Sequence, residues 1–96
     1  MMNTIRQIIK ELLREETLSS LELSQRLSLP EKEVLDHLSH LARAPGPGYR
    51  FEMTPPVCKH CGFAFKKRER LTIPSRCPIC QHESIRRPRF ALVEHK

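Results

Sequence analysis

Cysteine is the residue type with most chemical consequence in this chain. Its four cysteines stand in two pairs, Cys58-Lys59-His60-Cys61-Gly62 and Cys77-Pro78-Ile79-Cys80, with positions 62–76 between them. Each C-x-x-C turn aims two sulfurs the same way, and two such turns at this separation match the spacing of a tetrahedral zinc site. Thiolates suit zinc, a borderline-soft ion whose d electrons impose no geometry. Cys58, Cys61, Cys77 and Cys80 would fill the coordination sphere, leaving no position for a water nucleophile or a substrate. The expected ion is one structural Zn2+, and the expected protein is not an enzyme.

Other uses of these cysteines fit less well. Buried free thiols would not fall into two C-x-x-C pairs. Disulfides are disfavoured because no apolar signal stretch precedes the first helix and cytosolic thiols stay reduced. Iron is the alternative ion, since the same four-sulfur cage accepts it in rubredoxins. Their Cys-x-x-Cys-Gly and Cys-Pro-x-Cys turns are shared with zinc ribbons. Rubredoxins, however, wrap the metal in several aromatics, and positions 58–80 hold only Phe63 and Phe65. His60 and His82 sit beside the ligands, but four sulfurs suffice without them, so both read as solvated or supporting groups.

A chain of 96 residues supports one small core, or a core plus a metal-stapled appendage. Positions 57–85 are too few and too polar to bury a core alone. Metal ligation must supply much of their folding free energy, on the order of 10 kcal/mol at such sites. No run of 18 apolar residues is present, which argues against a membrane span and for a soluble, cytoplasmic protein. The net charge is +6, unevenly spread: residues 1–48 sum to −1 and residues 49–96 to +7. Four thiolates with one divalent ion would bring the whole to about +4. The basic half is the cysteine-bearing half, the usual electrostatic footprint of a polyanion partner.

The elements that must position this site are readable in outline. Ile5, Ile8, Ile9, Leu12 and Leu13 form one helical stripe over residues 4–16, with Asn3 or Thr4 in position to cap it. Ser19 and Glu22 have capping-box spacing before a short second helix carrying Leu23 and Leu27. A third helix is expected to start at Ser28 as cap, with Pro30 in its first turn and Glu31 closing another capping box. Its inner face would be Val34, Leu35, Leu38, Leu41 and Ala42, and its outer face Lys32, Glu33, Asp36, His37, His40 and Arg43. Two short helices behind a longer one give a helix-turn-helix pattern. Ala44-Pro45-Gly46-Pro47-Gly48 then breaks the helix. Residues 49–54 alternate as a strand with Tyr49, Phe51 and Met53 inward, and residues 89–93 read as a second strand with Phe90 and Leu92 buried. Pro88 marks its start or an exposed edge. Pairing these strands leaves the metal segment at the tip of the hairpin.

The stretch from Leu27-Ser28-Leu29-Pro30 to Leu38 resembles the helix-turn-helix of winged-helix regulators. Taken with Arg50-Phe51, the two cysteine pairs, Leu71-Thr72-Ile73-Pro74-Ser75-Arg76 and Arg89-Phe90, the chain resembles the small prokaryotic predicted transcriptional regulators that fuse a winged helix-turn-helix to a four-cysteine zinc ribbon. The resemblance implies an α+β fold: a three-helix winged helix-turn-helix whose β-hairpin wing carries an inserted zinc ribbon with rubredoxin-like knuckles. Residues 1–56 and 86–96 would form the body and residues 57–85 the insert. It also implies a DNA-binding role.

One departure from the usual docking mode is legible. A helix entering a major groove normally presents Arg, Lys, Asn, Gln or Ser to bases and phosphates. Here the third helix offers Glu31, Glu33 and Asp36 against Lys32. Positive charge has moved to the wing and ribbon, densest at Lys66-Lys67-Arg68-Glu69-Arg70 and again at Arg86, Arg87 and Arg89. The residues expected to contact double-stranded DNA are therefore Lys32, His37, Lys66, Lys67, Arg68, Arg70, Arg86, Arg87 and Arg89. The rival expectations are a protein-interaction adaptor of nucleic-acid machinery and an iron-loaded electron carrier. A homodimer is compatible with the fold, but no heptad or exposed apolar helix demands one.

Overall fold

The computed structural model describes residues 4–94. Helix α1 (Ile5–Glu15) begins where the Thr4 side chain accepts a hydrogen bond from the Gln7 N–H, while Asn3 lies outside the described residues. It buries Ile9 and Leu13; Ile5, at the end of the expected stripe, is exposed. Helix α2 (Ser20–Leu27) opens with the capping box read from Ser19 and Glu22, each side chain bonding the other residue's backbone N–H.

The start of helix α3 (Glu31–Arg43) corrects the expected reading. Ser28 does not cap it: Ser28 closes α2 in the left-handed region, at φ 55°, and the residue before α3 is Pro30, with no side-chain cap. Nor does Glu31 close a capping box. Its carboxylate is taken by the Ser20 hydroxyl at 2.6 Å and by Arg87 at 2.9 Å, tertiary partners that local spacing does not reveal. The tight turn is held instead by Leu29, whose N–H donates to the Ser24 carbonyl at 3.1 Å and whose carbonyl accepts from the Ser24 hydroxyl. Val34, Leu38 and Leu41 of α3 are buried as expected, but Ala42 is exposed, because the helix ends there and turns that side to solvent.

Strands β1 (Tyr49–Thr54) and β4 (Arg89–Glu94) pair antiparallel, from Tyr49 opposite Glu94 to Thr54 opposite Arg89. The inward residues of β1 are half-buried, whereas Phe90 and Leu92 of β4 are buried. A further strand-like contact joins the α1–α2 connection to β4: Leu18 and Phe90 exchange both backbone hydrogen bonds, at 3.0 and 2.8 Å. The four residues between these helices are too short for a periodic signal. Phe90 thus sits between Leu18 and β1, with its ring stacked on Phe51 at 5.7 Å. The main core collects Ile9, Leu13, Leu18, Leu23, Val34, Leu38, Leu41, Phe90 and Leu92 from all three helices and β4.

A second two-stranded sheet, β2 (Val57–Cys58) with β3 (Ile85–Arg86), continues the hairpin outward and forms the stem of the ribbon. Pro56 and Pro88, both buried, stand where one sheet gives way to the other. The ribbon has its own small cluster, Cys58, Cys77 and Ile85, against which Phe63, Phe65 and Cys80 pack. The molecule is 50 Å long against 19 Å in its shortest dimension, as a ribbon projecting from a helical body requires. Among the described residues no helix is long and apolar enough to cross a membrane.

Phe90 is fully buried at the point where helices, hairpin and linker meet. Phe90→Ala is expected to cost about 3–5 kcal/mol, and urea denaturation followed by circular dichroism measures it.

Candidate metal centre

Two knuckles of the same build bring the cysteines together. In the first, the Gly62 N–H donates to the Cys58 carbonyl at 3.0 Å and the Cys58 N–H to the Phe63 carbonyl at 2.9 Å. In the second, the Gln81 N–H donates to the Cys77 carbonyl at 2.9 Å and the Cys77 N–H to the His82 carbonyl at 2.8 Å. Each turn closes only if its last residue takes a positive φ. Gly62 does so at 81°, where glycine has no steric penalty, and Gln81 at 65° in the other knuckle. The Gln81 side chain offsets part of that cost by donating to the Pro78 carbonyl at 3.4 Å.

The result is one cluster. The sulfurs of Cys58, Cys61, Cys77 and Cys80 all lie within 4.8 Å of one another, and the two cross-knuckle pairs, Cys58–Cys80 and Cys61–Cys77, are each 3.6 Å apart. These spacings exclude disulfides, whose sulfurs lie about 2.05 Å apart. They fit a tetrahedral ion: bonds of about 2.3 Å to sulfur place neighbouring ligands about 3.8 Å apart. Cys58 and Cys77 are buried, Cys80 is half-buried and Cys61 exposed, so the site lies at the ribbon surface with two ligands anchored in its interior.

The electrostatics suit a cation. The backbone N–H groups of Cys61 and His60 point at the Cys58 sulfur and, with help from the neighbouring thiols, bring it down to about 6. At Cys80 the His82 N–H pulls the same way, but desolvation and the three neighbouring sulfurs outweigh it and push the thiol up to about 12. The Phe63 N–H likewise favours the Cys61 thiolate, yet desolvation and the Cys77 and Cys58 sulfurs leave Cys61 raised. Crowded sulfurs resist losing further protons until a positive ion joins them.

His60 and His82 are both exposed and stack on each other, with ring centres 3.7 Å apart and planes 14° from parallel. Neither belongs to the ligand cluster.

The basic residues fall into two groups. Lys59, Lys66, Lys67, Arg70 and Arg86 are exposed on the ribbon, and none of them pairs with an acid among the described residues. Arg68 is half-buried and ties its loop by donating to the Thr72 carbonyl and hydroxyl at 3.2 and 3.1 Å. Arg87 and Arg89 instead reach back to the helices. Arg87 meets Glu31 at 2.9 Å, and Arg89 meets Glu22 at 3.3 Å. The Ser19 N–H chiefly, with the Arg89 charge and against burial, holds the Glu22 carboxyl below its ordinary range. On α3, Lys32 is exposed, whereas His37 is half-buried and accepts at Nδ1 from Arg6 of α1 at 3.2 Å. Of the nine expected nucleic-acid residues, Lys32, Lys66, Lys67, Arg70 and Arg86 are thus exposed without an acidic partner among the described residues, and His37, Arg68, Arg87 and Arg89 are engaged by other side chains or backbone.

Comparison with known proteins finds two family models along the chain. Residues 4–51 match the family model described as PF0610-like, N-terminal, and residues 55–96 match the PF0610 rubredoxin-like zinc beta-ribbon domain. The chain belongs to the PF0610-like family. A solved relative is the solution NMR structure of protein PF0610 from Pyrococcus furiosus, 35% identical, with a TM-score of 0.77 over 95% of this chain and 90% of that one. Comparison with the curated proteins found no match. The chain is thus an α+β protein of three helices and a small antiparallel sheet with a zinc-ribbon domain, whose four cysteines could hold a metal.

Two outcomes test the site. Chelation, or Cys77→Ala, is expected to collapse the amide signals of residues 57–85 in an NMR spectrum while the far-ultraviolet helical signal persists, because the helical core contains no cysteine. Cys61 and Cys80, held above the ordinary thiol value, are protonated at neutral pH, so uptake of one metal ion must expel at least two protons. Cys58, at about 6, adds another only in acid. Apparent affinity is therefore expected to fall as pH falls, steepening below about pH 6, and calorimetry in buffers of different ionisation enthalpy counts the protons.

Proposed function

We propose that this protein is a non-enzymatic DNA-binding regulator in which one zinc ion orders a basic ribbon on the wing of a winged helix. The carrying observation is where the charge lies: Lys59, Lys66, Lys67, Arg70 and Arg86 stand exposed on the metal-stapled ribbon without acidic partners among the described residues. Three further features support a winged helix. Helices α2 and α3 are joined by three residues, the β1–β4 hairpin follows α3, and Leu18 adds a third backbone ladder beside β4. Zinc is favoured over iron by the zinc-ribbon family match and by a site packed with only two aromatic rings.

Affinity in this reading comes chiefly from counterion release as Lys and Arg meet phosphates. The outward side of α3, with Glu33 and Asp36 exposed beside Lys32, contributes little, since carboxylates are repelled by a phosphate wall. That side favours a second reading, an adaptor for a basic protein surface, because a shallow groove of 570 Å³ there is lined by Pro30, Leu35 and Ser39 with two acids, Glu33 and Asp36, against one base, Lys32.

With about five phosphate contacts, log K against log salt for duplex binding is expected to have a slope of roughly −4 to −5. Lys66→Glu with Lys67→Glu should flatten that slope by about 2, and Lys32→Gln should leave it nearly unchanged. Anisotropy titrations over a salt series measure both. Failure to bind any duplex at low salt, with retention of a protein partner, would transfer support to the adaptor reading. Metal analysis of protein purified without added metal decides zinc against iron.

A further inference from the structure

We infer that the tip of the ribbon is a site for an unpaired DNA strand, one base lying in an apolar groove while the neighbouring phosphates meet the lysines beside it. This rests on the DNA-binding reading above and narrows it to strands whose bases are free.

The ribbon carries a groove of 350 Å³ lined by Phe63, Phe65 and Pro78 together with Lys66, Lys67 and Arg68. Phe63 and Phe65 meet edge to face at 5.0 Å, so each ring braces the other. A second groove, of 410 Å³, shares Phe65, Arg68 and Pro78 with the first and continues to Arg70 and to the exposed Arg76, whose guanidinium lies 4.0 Å from Glu83. Over residues 63–78 the chain has five bases and one acid, Glu69. An apolar floor under a row of cations is the combination that takes a strand with exposed bases: the rings receive a base face, and the cations track the backbone.

A duplex would not use the floor. Its base faces are covered by stacking, and a phosphate wall gains nothing from contact with Phe65 and Pro78. An acidic peptide with one apolar side chain would fill the first groove, but the cations run on through the second, as a continuing chain of phosphates requires. The exposed acids of α3 point to the same choice, since a flexible strand can follow the ribbon without laying a second backbone near Glu33 and Asp36. DNA rather than RNA is taken from the DNA-binding reading on which this inference rests.

The test uses the full metal-loaded chain at low salt and labelled strands of about 12 nucleotides. The probes are oligothymidylate, an abasic deoxyribose strand of equal phosphate number, oligouridylate and a duplex, with a glutamate-rich peptide bearing one Phe as competitor. Oligothymidylate is expected to bind at least about 5-fold tighter than the abasic strand, and Phe65→Leu, which keeps apolar bulk but no ring face, should remove most of that difference. Lys67→Gln should weaken both strands alike. Should Phe65→Leu lose its metal, the Phe65 ring-proton shifts of the unaltered protein serve instead: they move with oligothymidylate and stay still with the abasic strand. Equal binding of base-bearing and abasic strands, tighter binding of the duplex or of oligouridylate, or displacement of the strand by the peptide alone would each overturn the inference. If the duplex still binds with its steep salt dependence, the regulator reading survives that loss. If no nucleic acid binds, both fall.

Discussion

Four sulfurs within 4.8 Å of one another, at the end of a stem only two residue pairs long, are the constraint on which the outer half of this molecule depends. Outside the cysteines, Ile85 is the one buried hydrophobic in the ribbon cluster among the described residues, with Phe63 and Phe65 half-covered beside it. So little apolar area cannot offset the entropy of ordering nearly thirty residues, at roughly 1–2 kcal/mol each for backbone alone. Nor can the sulfurs cohere as thiolates, since each raises the cost of ionising the next. A bound cation reverses the sign of that crowding and turns four mutually unfavourable charges into ligands. The position of every base on the ribbon follows from that exchange.

The junction with the helical body works differently. Its strength comes from Phe90 and Leu92 in the main core and from paired β1 and β4, while Leu71 of the ribbon packs against the same core. Arg87 with Glu31 and Arg89 with Glu22 add direction rather than stability, since each pair is partly exposed and such pairs contribute about 0–1 kcal/mol. What they do is orient. Glu31 also accepts from Ser20, and Glu22 also caps α2, so the two arginines are tied to the first turns of α2 and α3 and hold the returning strand to a defined line.

The parts of the fold legible in sequence were those with a period or a fixed spacing. The α1 stripe, the Ser19–Glu22 capping box and the alternation from Tyr49 to Met53 each repeat a local rule several times, and the observed elements follow them. The cysteine pairs carry their geometry in four residues apiece. What escaped had no local signature: β2 and β3 are two residues long, the Leu18–Phe90 ladder is a single bridge, and Ser28 and Glu31 have capping-box chemistry but were claimed by other partners. Arg87 and Arg89 looked identical to Arg86 in sequence, and only the tertiary placement of Glu22 and Glu31 separates them. The Phe63–Phe65–Pro78 groove needed the second knuckle folded over the first before it existed at all.

In the DNA-binding reading proposed above, this separation of the arginines would decide how the molecule meets a polyanion. Had Arg87 and Arg89 stayed free, positive charge would have spread along the whole return strand and reached the helical body. Because Glu22 and Glu31 absorb them, charge is locally balanced at the junction, while Lys59 and Arg86 by the stem and Lys66, Lys67 and Arg70 beyond it have no acidic partner among the described residues. One divalent ion against four thiolates lowers the ribbon's total by two without moving any base. The charge is therefore uneven, with exposed carboxylates on α3 and an excess of cations on the ribbon. In the DNA-binding reading, a polyanion would meet the ribbon's field over about a Debye length of 8–10 Å. For the same reason salt acts on this protein through its metal-ordered end.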